Sequence, residues 1–143
     1  MADKVLKIAT ACLLDDAGRL LIVRKQGTQL FMLPGGKIEH GEAPLDALKR
    51  ELQEELGLKM ESSSLQALGH FSSRAANEPD HWVEAEIFLG HAQSAVTAQA
   101  EIEALAWLDL NAQHRCELAP LLREQVIPAL LKRSLQDRGS VTT

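Results

Sequence analysis

The sequence predicts an α/β protein in which a mixed sheet packs against helices, and three observations lead there. The first is a pair of apolar, β-branched runs, Val5 to Leu14 and Arg19 to Lys25, separated by the turn signal Asp15–Gly18. The second is a helical apolar period, Leu45, Leu48, Leu52 and Leu56, on the segment from Pro44 to Leu56. The third is that further strand-like stretches follow this helix and precede a last helical one, with no low-complexity linker and no internal repeat between them. Strands and helices in this order give a sheet covered by helices.

Taken in order, the first two runs read as a β-hairpin. Gln26–Gln29 is a loop, and Leu30–Leu33 reads as a short strand. Pro34-Gly35-Gly36 is expected to break regular structure and let the backbone approach a ligand closely. Pro44 suits the first turn of the helix, and Gly57 is placed to end it. Leu65–Arg74 and His81–His91 read as strands joined by the hairpin loop Ala75–Asp80, and Glu103–Leu110 as another strand. Leu118 to Leu135 reads as the C-terminal helix, kinked or split by Pro128. Residues 1–136 are expected to form one domain, and the polar residues 137–143 a fraying tail.

Composition narrows the function classes. The 143 residues are 45% hydrophobic and 24% charged, as in ordinary globular proteins. A formal net charge of −5 disfavours a nucleic-acid surface, which needs a basic stripe. It leaves room for a nucleotide bound through a metal. The two cysteines, Cys12 and Cys116, lack metal-ligand spacing, so a disulfide framework is not expected and a reducing cytoplasm is. No apolar run approaches the roughly 18 residues that span a bilayer, and the first ten residues lack a signal-peptide core, so no membrane partner is expected.

The helix poses a physical problem. Glu51, Glu54 and Glu55 fall within about a 100° arc, beside the arc of the four leucines rather than opposite it. Carboxylates three and four residues apart repel, and a place bordering the buried face desolvates them. A divalent cation removes both penalties, and Mg²⁺ binds through carboxylates, water and substrate phosphates. The stripe therefore reads as a Mg²⁺ or Mn²⁺ site, with a solvated acidic face as the ordinary alternative. The loop just before the helix adds weight to the metal, because Leu33–Lys37 brings backbone and a lysine to the same end.

The stretch Gly36–Leu58 resembles the Nudix box, G-x5-E-x7-R-E-U-x-E-E-x-G-U with U a bulky aliphatic residue. Gly36, Glu42, Arg50, Glu51, Leu52, Glu54, Glu55, Gly57 and Leu58 occupy all nine fixed positions. Phe31, ahead of Leu33-Pro34-Gly35-Gly36, stands where the family often has an aromatic residue. The resemblance is sharp over these 23 of 143 residues, and the surrounding strand order suits the family's α/β/α sandwich. It implies hydrolysis of a diphosphate linked to another moiety X, often a nucleoside. It implies Glu51 and Glu55 as direct metal ligands, Glu54 as a further or water-mediated ligand, and the Gly35 carbonyl as a possible additional one. By the same resemblance Arg50 holds the carboxylates through ion pairs, Glu42 pins the loop to the helix, and Gly36 and Gly57 are structural.

The general base varies within that family. Glu54, Glu101 and Glu103 are the candidates, the last two because the segment ahead of the Leu105–Leu110 stretch often faces the site. Arg24 and Lys25 end the second strand, where related proteins often carry a phosphate-binding cation, and Lys37 could meet a phosphate too. The chain is 3% aromatic. Phe31 and Trp82 are the aromatic binding candidates, Trp82 foremost for stacking, while Phe88 and Trp107 read as core. The function expected is Mg²⁺-dependent hydrolysis of a nucleoside triphosphate or related nucleotide. The rivals are a nucleotide-binding module without turnover and an enzyme acting on RNA 5′ ends. Related proteins are often homodimers. The identity of X has no signature in the sequence.

Overall fold

The computed structural model describes residues 4–75, 80–92, 96–111 and 117–133. In chain order the elements are β1 (Lys4–Leu14), β2 (Leu20–Lys25), β3 (Gly35–Lys37), α1 (Pro44–Leu56), a 3-10 turn at Ser62–Ser64, β4 (Gln66–Arg74), β5 (His81–His91), β6 (Ile102–Leu108) and α2 (residues 120–133). The strands form one mixed sheet in the order β4-β5-β1-β2-β6, with β3 also on β1. β1 and β5 run parallel from Lys4↔His81 to Leu14↔His91, and the other pairs are antiparallel.

Alternation along the central strands builds two cores. Ala9, Ala11 and Leu13 of β1 and Leu21 and Val23 of β2 pack against Ala47, Leu48, Leu52 and Leu56 of α1. Cys12, Leu20 and Ile22 point the other way and pack with Leu122, Val126, Ile127 and Leu130 of α2. Leu48 and Leu52 are fully buried, and each contributes roughly 1.5–3 kcal/mol through burial. The result is the α/β/α sandwich. Free Cys12 lies inside it, where burial pushes its thiol up to about 12.

The structure corrects several expectations. The β1–β2 hairpin is paired at its closed end, at Leu14↔Leu20, and then parts. The segment from Phe31 to Lys37 fills the gap: Met32 bridges Val23, the Pro34 carbonyl accepts from the Ala11 N–H at 3.0 Å, and β3 pairs with Ile8–Thr10. Leu30–Leu33 thus forms isolated bridges at Phe31 and Met32, not a strand. The double glycine does not break regular structure; Gly35–Lys37 is itself a strand. Gly35 sits at φ 138°, and a Cβ there would lie 2.2 Å from the Ala9 carbonyl oxygen. Its close approach is to the protein's own β1. β6 begins at Ile102, one residue before the expected start, and ends at Leu108.

Pro128 does not split α2, which runs continuously across it. Leu122–Val126 is a π-helical turn, and the Ile127 N–H bonds the Leu122 carbonyl. Proline lacks an N–H and crowds the carbonyl four residues back, and a widened turn just ahead of it relieves both. Cys116, residues 76–79 of the expected hairpin loop and the expected tail lie outside the described residues. No described helix is long and apolar enough to cross a membrane.

Candidate active site

α1 follows extended Ala43, starts on Pro44 and ends on Gly57 (φ 67°, ψ 19°). The Gly57 N–H returns to the Gln53 carbonyl at 3.0 Å and the Leu58 N–H to the Leu52 carbonyl at 3.2 Å, a left-handed glycine termination. Glu54 and Glu55 therefore occupy the last turn, the negative end of the helix dipole, and that turn holds no basic residue. The arrangement is unfavourable unless something cationic answers it.

Arg50 answers part of it. Its Nε and Nη2 donate to the two oxygens of Glu42 at 2.9 and 3.0 Å, a bidentate fork, and Nη2 also donates to the Lys37 carbonyl at 3.3 Å. Nη1 donates to Glu51 Oε1 at 2.9 Å and lies 3.6 Å from Glu54. Arg50 thereby ties the β3–α1 loop to the helix. Its hydrogen bonds, with the Glu39 N–H, hold the Glu42 carboxyl down at about 2, and the guanidinium is itself shifted upward by Glu42 and Glu51. Gly36 makes room for Glu51: a Cβ there would meet its carboxyl carbon at 2.6 Å. Glu54 is the most solvent-accessible of the three stripe carboxylates, its side chain 55% exposed.

Glu55 is the exception. It is 2% exposed, and its Oε1 accepts from the Gly35 N–H at 2.9 Å. Its Oε2 is buried with no hydrogen-bond partner. Burial pushes the carboxyl up to about 7; the Gly35 N–H and Lys25 pull it down, and Glu51 and Glu101 push it further up. A buried carboxylate oxygen without a partner is costly, and a cation is what such an atom accepts. Among the described residues no three His, Cys, Asp or Glu side chains already converge in ligand geometry; Glu51 is turned to Arg50 and Glu55 to Gly35. The orphaned oxygen, the Gly36 gap beside Glu51 and the all-oxygen donor set nonetheless fit Mg²⁺ or Mn²⁺. Gly35 meets this carboxylate through its N–H, which orients Glu55.

The end of β2 and the start of β6 carry two cation–carboxylate pairs that separate the remaining candidates. Arg24 donates to Glu103 at 2.9 Å and to the Thr28 carbonyl at 2.9 Å, and lies 5.9 Å over the Phe31 ring. Lys25 stands 3.9 Å from Glu101. Lys25 and Glu101 both act electrostatically on Glu55. The loop before Glu101 is fastened there, because the Gln99 N–H donates to the Glu55 carbonyl at 2.8 Å and the Gln26 N–H to the Glu101 carbonyl at 2.8 Å. Glu101 is thus tied to the end of α1, and Glu103 to Arg24 and Phe31.

A cleft of about 230 Å³ opens beside the box, lined by Thr10, Lys25, Gly35, Gly36 and Lys37 at one end. Of the expected binding residues it takes Lys25 and Lys37. Arg24, Phe31 and Trp82 do not line it: Arg24 is engaged by Glu103, Phe31 packs on the α2 core, and Trp82 alternates with Val83, which does line it. Of the two cations that end β2, Lys25 lines the cleft and Arg24 does not. Strand parity would have misplaced Lys25, since Leu21 and Val23 pack on α1 whereas the cleft's Leu6 and Ile8 pack with the α2 core; the register shift between Arg24 and Lys25 breaks the alternation there. Arg74 lines the cleft as well, and no local pattern points to it.

A mixed-sheet α/β/α sandwich with a carboxylate-bearing loop and helix defines the class. The family model described as the NUDIX domain matches residues 5–130, and the chain belongs to the Nudix family. Over 62 residues it is 36% identical to an 8-oxo-dGTP diphosphatase of Haemophilus influenzae, covering 41% of this chain and 46% of that protein. Over 47 residues it is 53% identical to an RNA pyrophosphohydrolase of Saccharophagus degradans, covering 32% of this chain and 28% of that protein. The matched region spans less than half the length of these two relatives. The fold is similar to the crystal structure of a MutT NUDIX hydrolase from Burkholderia pseudomallei, with TM-score 0.72, 25% identity, and coverage of 90% of this chain and 98% of that one.

Proposed function

We propose that this protein is a Mg²⁺- or Mn²⁺-dependent pyrophosphohydrolase acting on a nucleoside triphosphate or related nucleoside diphosphate derivative and releasing a monophosphate product. The observation that carries the reading is Glu55, a buried carboxylate with one oxygen unpartnered beside Glu51 and the cation-lined end of the cleft. Glu51 and Glu55 would hold the metal, with Glu54 and the Gly35 carbonyl as further donors. When bound, the ion polarises the diphosphate and lowers the pKa of a coordinated water. Lys25 and Lys37 offset phosphate charge at the cleft. Arg50 positions Glu51 and fixes the loop through Glu42.

A carboxylate must accept the proton of the attacking water as the bridging P–O bond breaks. Glu101 is favoured over Glu103 because it stands with Lys25 on the Glu55 side. Glu54 remains the alternative within the box. The reading includes a cytoplasmic enzyme, with homodimers as in related proteins and no membrane partner.

The test is a Mg²⁺-dependent hydrolysis panel of canonical and oxidised nucleoside triphosphates, ADP-ribose, nucleotide sugars, dinucleoside polyphosphates, NADH and 5′-triphosphate RNA. Glu51→Gln and Glu55→Gln run beside the wild type. Turnover of a small nucleotide that both variants lose supports the reading. Full turnover in either variant refutes it. Nucleotide binding with no turnover on any substrate would make the protein a regulatory module, and faster release from RNA than from free nucleotides would make it an RNA 5′-end enzyme.

A further inference from the structure

The cleft carries a charge pattern that a diphosphate alone does not require. Lys25, Lys37 and Arg74 line it, and no Asp or Glu is among its described lining residues, although the chain has a net charge of −5. Gly35 and Gly36 of β3 stand at the box end, and Lys37 follows them opposite Ile8, partway along. Arg74 stands at the other end. The β1 residues along the cleft run from Thr10, the partner of Gly35, through Ile8 to Leu6, the partner of Val83. Arg74 ends β4 opposite Trp82, next to Val83. Thr10 to Leu6 is about 13 Å along a strand, which places Arg74 well beyond the diphosphate.

Between the two ends the walls are aliphatic, with Leu6, Ile8, Leu33, Val83 and Leu121, and no aromatic side chain lines them among the described residues. A bound moiety is therefore packed rather than stacked, and its orientation falls to the polar group at the far end. α2 holds that group in place. Glu124, in the π-helical turn, accepts from Arg74 Nη2 at 3.4 Å. Leu122 of the same turn lines the cleft, and Gln125 hydrogen-bonds the Ser72 carbonyl on β4. The Arg74–Glu124 pair is long and exposed; such pairs are weak, and among the described residues four of the five guanidinium N–H donors have no other partner.

We propose that Arg74 is a specificity-determining residue for the hydrolysis proposed above, on which this inference rests. It binds paired acceptors at the end of X remote from the diphosphate. Two sources present that chemistry to a planar fork: the O6/N7 edge of a 6-oxopurine, and a terminal phosphate.

The experiment measures binding by titration calorimetry with Ca²⁺ present. The probes are inosine triphosphate, ATP and 5-phosphoribosyl diphosphate, and the proteins are wild type, Arg74→Ala and Arg74→Lys. The wild type should bind inosine triphosphate or the phosphoribosyl compound more tightly than ATP. Arg74→Ala should weaken the preferred probe about tenfold or more and leave ATP within about twofold. Arg74→Lys should restore the phosphate-ended probe and not the oxopurine, since lysine supplies a point charge without the fork; this variant also keeps the question measurable if the alanine protein misfolds. Equal losses on all three probes, no loss on any, or no binding by the wild type would overturn the proposal. Because the readout is binding, binding without turnover would refute the hydrolase reading while leaving Arg74's role standing.

Discussion

Alanine at two adjacent glycines should have opposite consequences. At Gly36 the backbone lies outside the left-handed region, and a Cβ would stand 2.6, 2.7 and 2.8 Å from the carbon and two oxygens of the Glu51 carboxyl. Those atoms end a flexible side chain, so the fold yields at little cost. The carboxyl must retreat by about 0.8 Å to reach ordinary contact, and a misplacement near 1 Å costs on the order of 100-fold in rate. Stability changes little, because glycine-to-alanine replacement at a tolerant backbone stabilises by about 0.4–1 kcal/mol through the unfolded state. At Gly35 the clash is with backbone, 2.2 Å from the Ala9 oxygen and 2.7 Å from the Thr10 Cα, at φ 138°. Strain and overpacking cost roughly 1–3 kcal/mol each, which lowers Tm by roughly 5–20 °C for a chain of this size. Circular-dichroism melts and Mg²⁺-dependent kcat/KM on the best panel substrate test both. Wild-type kcat/KM in Gly36→Ala would remove the Glu51 carboxyl from the chemistry. A Gly35→Ala protein melting like the wild type would mean that β3 is not seated on β1 as described.

Four further outcomes are expected. In metal-free protein Glu55, held at about 7, binds its proton more tightly folded than unfolded. Its contribution is therefore full below about pH 4.5 and is lost as pH rises through about 7, by up to roughly 3 kcal/mol; a Tm–pH scan of Glu55→Gln should lack that decline, and an unchanged slope would refute it. Glu42, held at about 2, has the reverse sign, with stability present above about pH 4.5 and lost towards pH 2. Arg50→Lys loses the two-pronged contact to Glu42 and cannot also span to Glu51, so kcat should fall at least about tenfold with KM little changed; unchanged kcat would refute the positioning role. Glu101→Gln should lower kcat by about 10²- to 10⁴-fold as expected for a lost general base, and Glu103→Gln by only a few-fold; the reverse result would place the base on the Arg24 side.

What was legible in the sequence was what local pattern determines. α1 falls on Pro44–Leu56 as expected because its leucine period, N-terminal proline and terminal glycine agree. β5 matches His81–His91 because one face is apolar from Val83 through Ala85 and Ile87 to Leu89. The misses share another cause. Gly35–Lys37 looks like a break because glycines have no strand signal; only β1, arriving from elsewhere, gives them partners. The parting of β1 and β2 is equally non-local, forced by the segment from Phe31 that enters between them. At the site, the box named the carboxylates, whereas the cleft depended on which residue of each neighbouring pair faces it: Lys25 rather than Arg24, and Val83 rather than Trp82. Arg74 was beyond reach, since its place depends on α2 and on Glu124 fifty residues away.

The charge balance of α1 ties these observations together. Glu42, Glu51, Glu54 and Glu55 converge at the loop and the last turns of the helix, and Arg50 is the cation ion-paired to the first three. Its single positive charge is largely committed to Glu42, whose carboxyl is strongly stabilised as the anion. Glu51 receives one bond, Glu54 a distant pair, and Glu55 none, so the deficit concentrates where the helix dipole is also negative. Burial first, and then the charges of Glu51 and Glu101, push the Glu55 carboxyl upward there. Packing a leucine at residue 55 would remove it at little cost to the fold. Retaining a buried carboxylate there instead makes sense for a protein that completes the balance with a divalent ion and a substrate's phosphates, and Lys25 and Lys37 wait on the side from which those phosphates would enter.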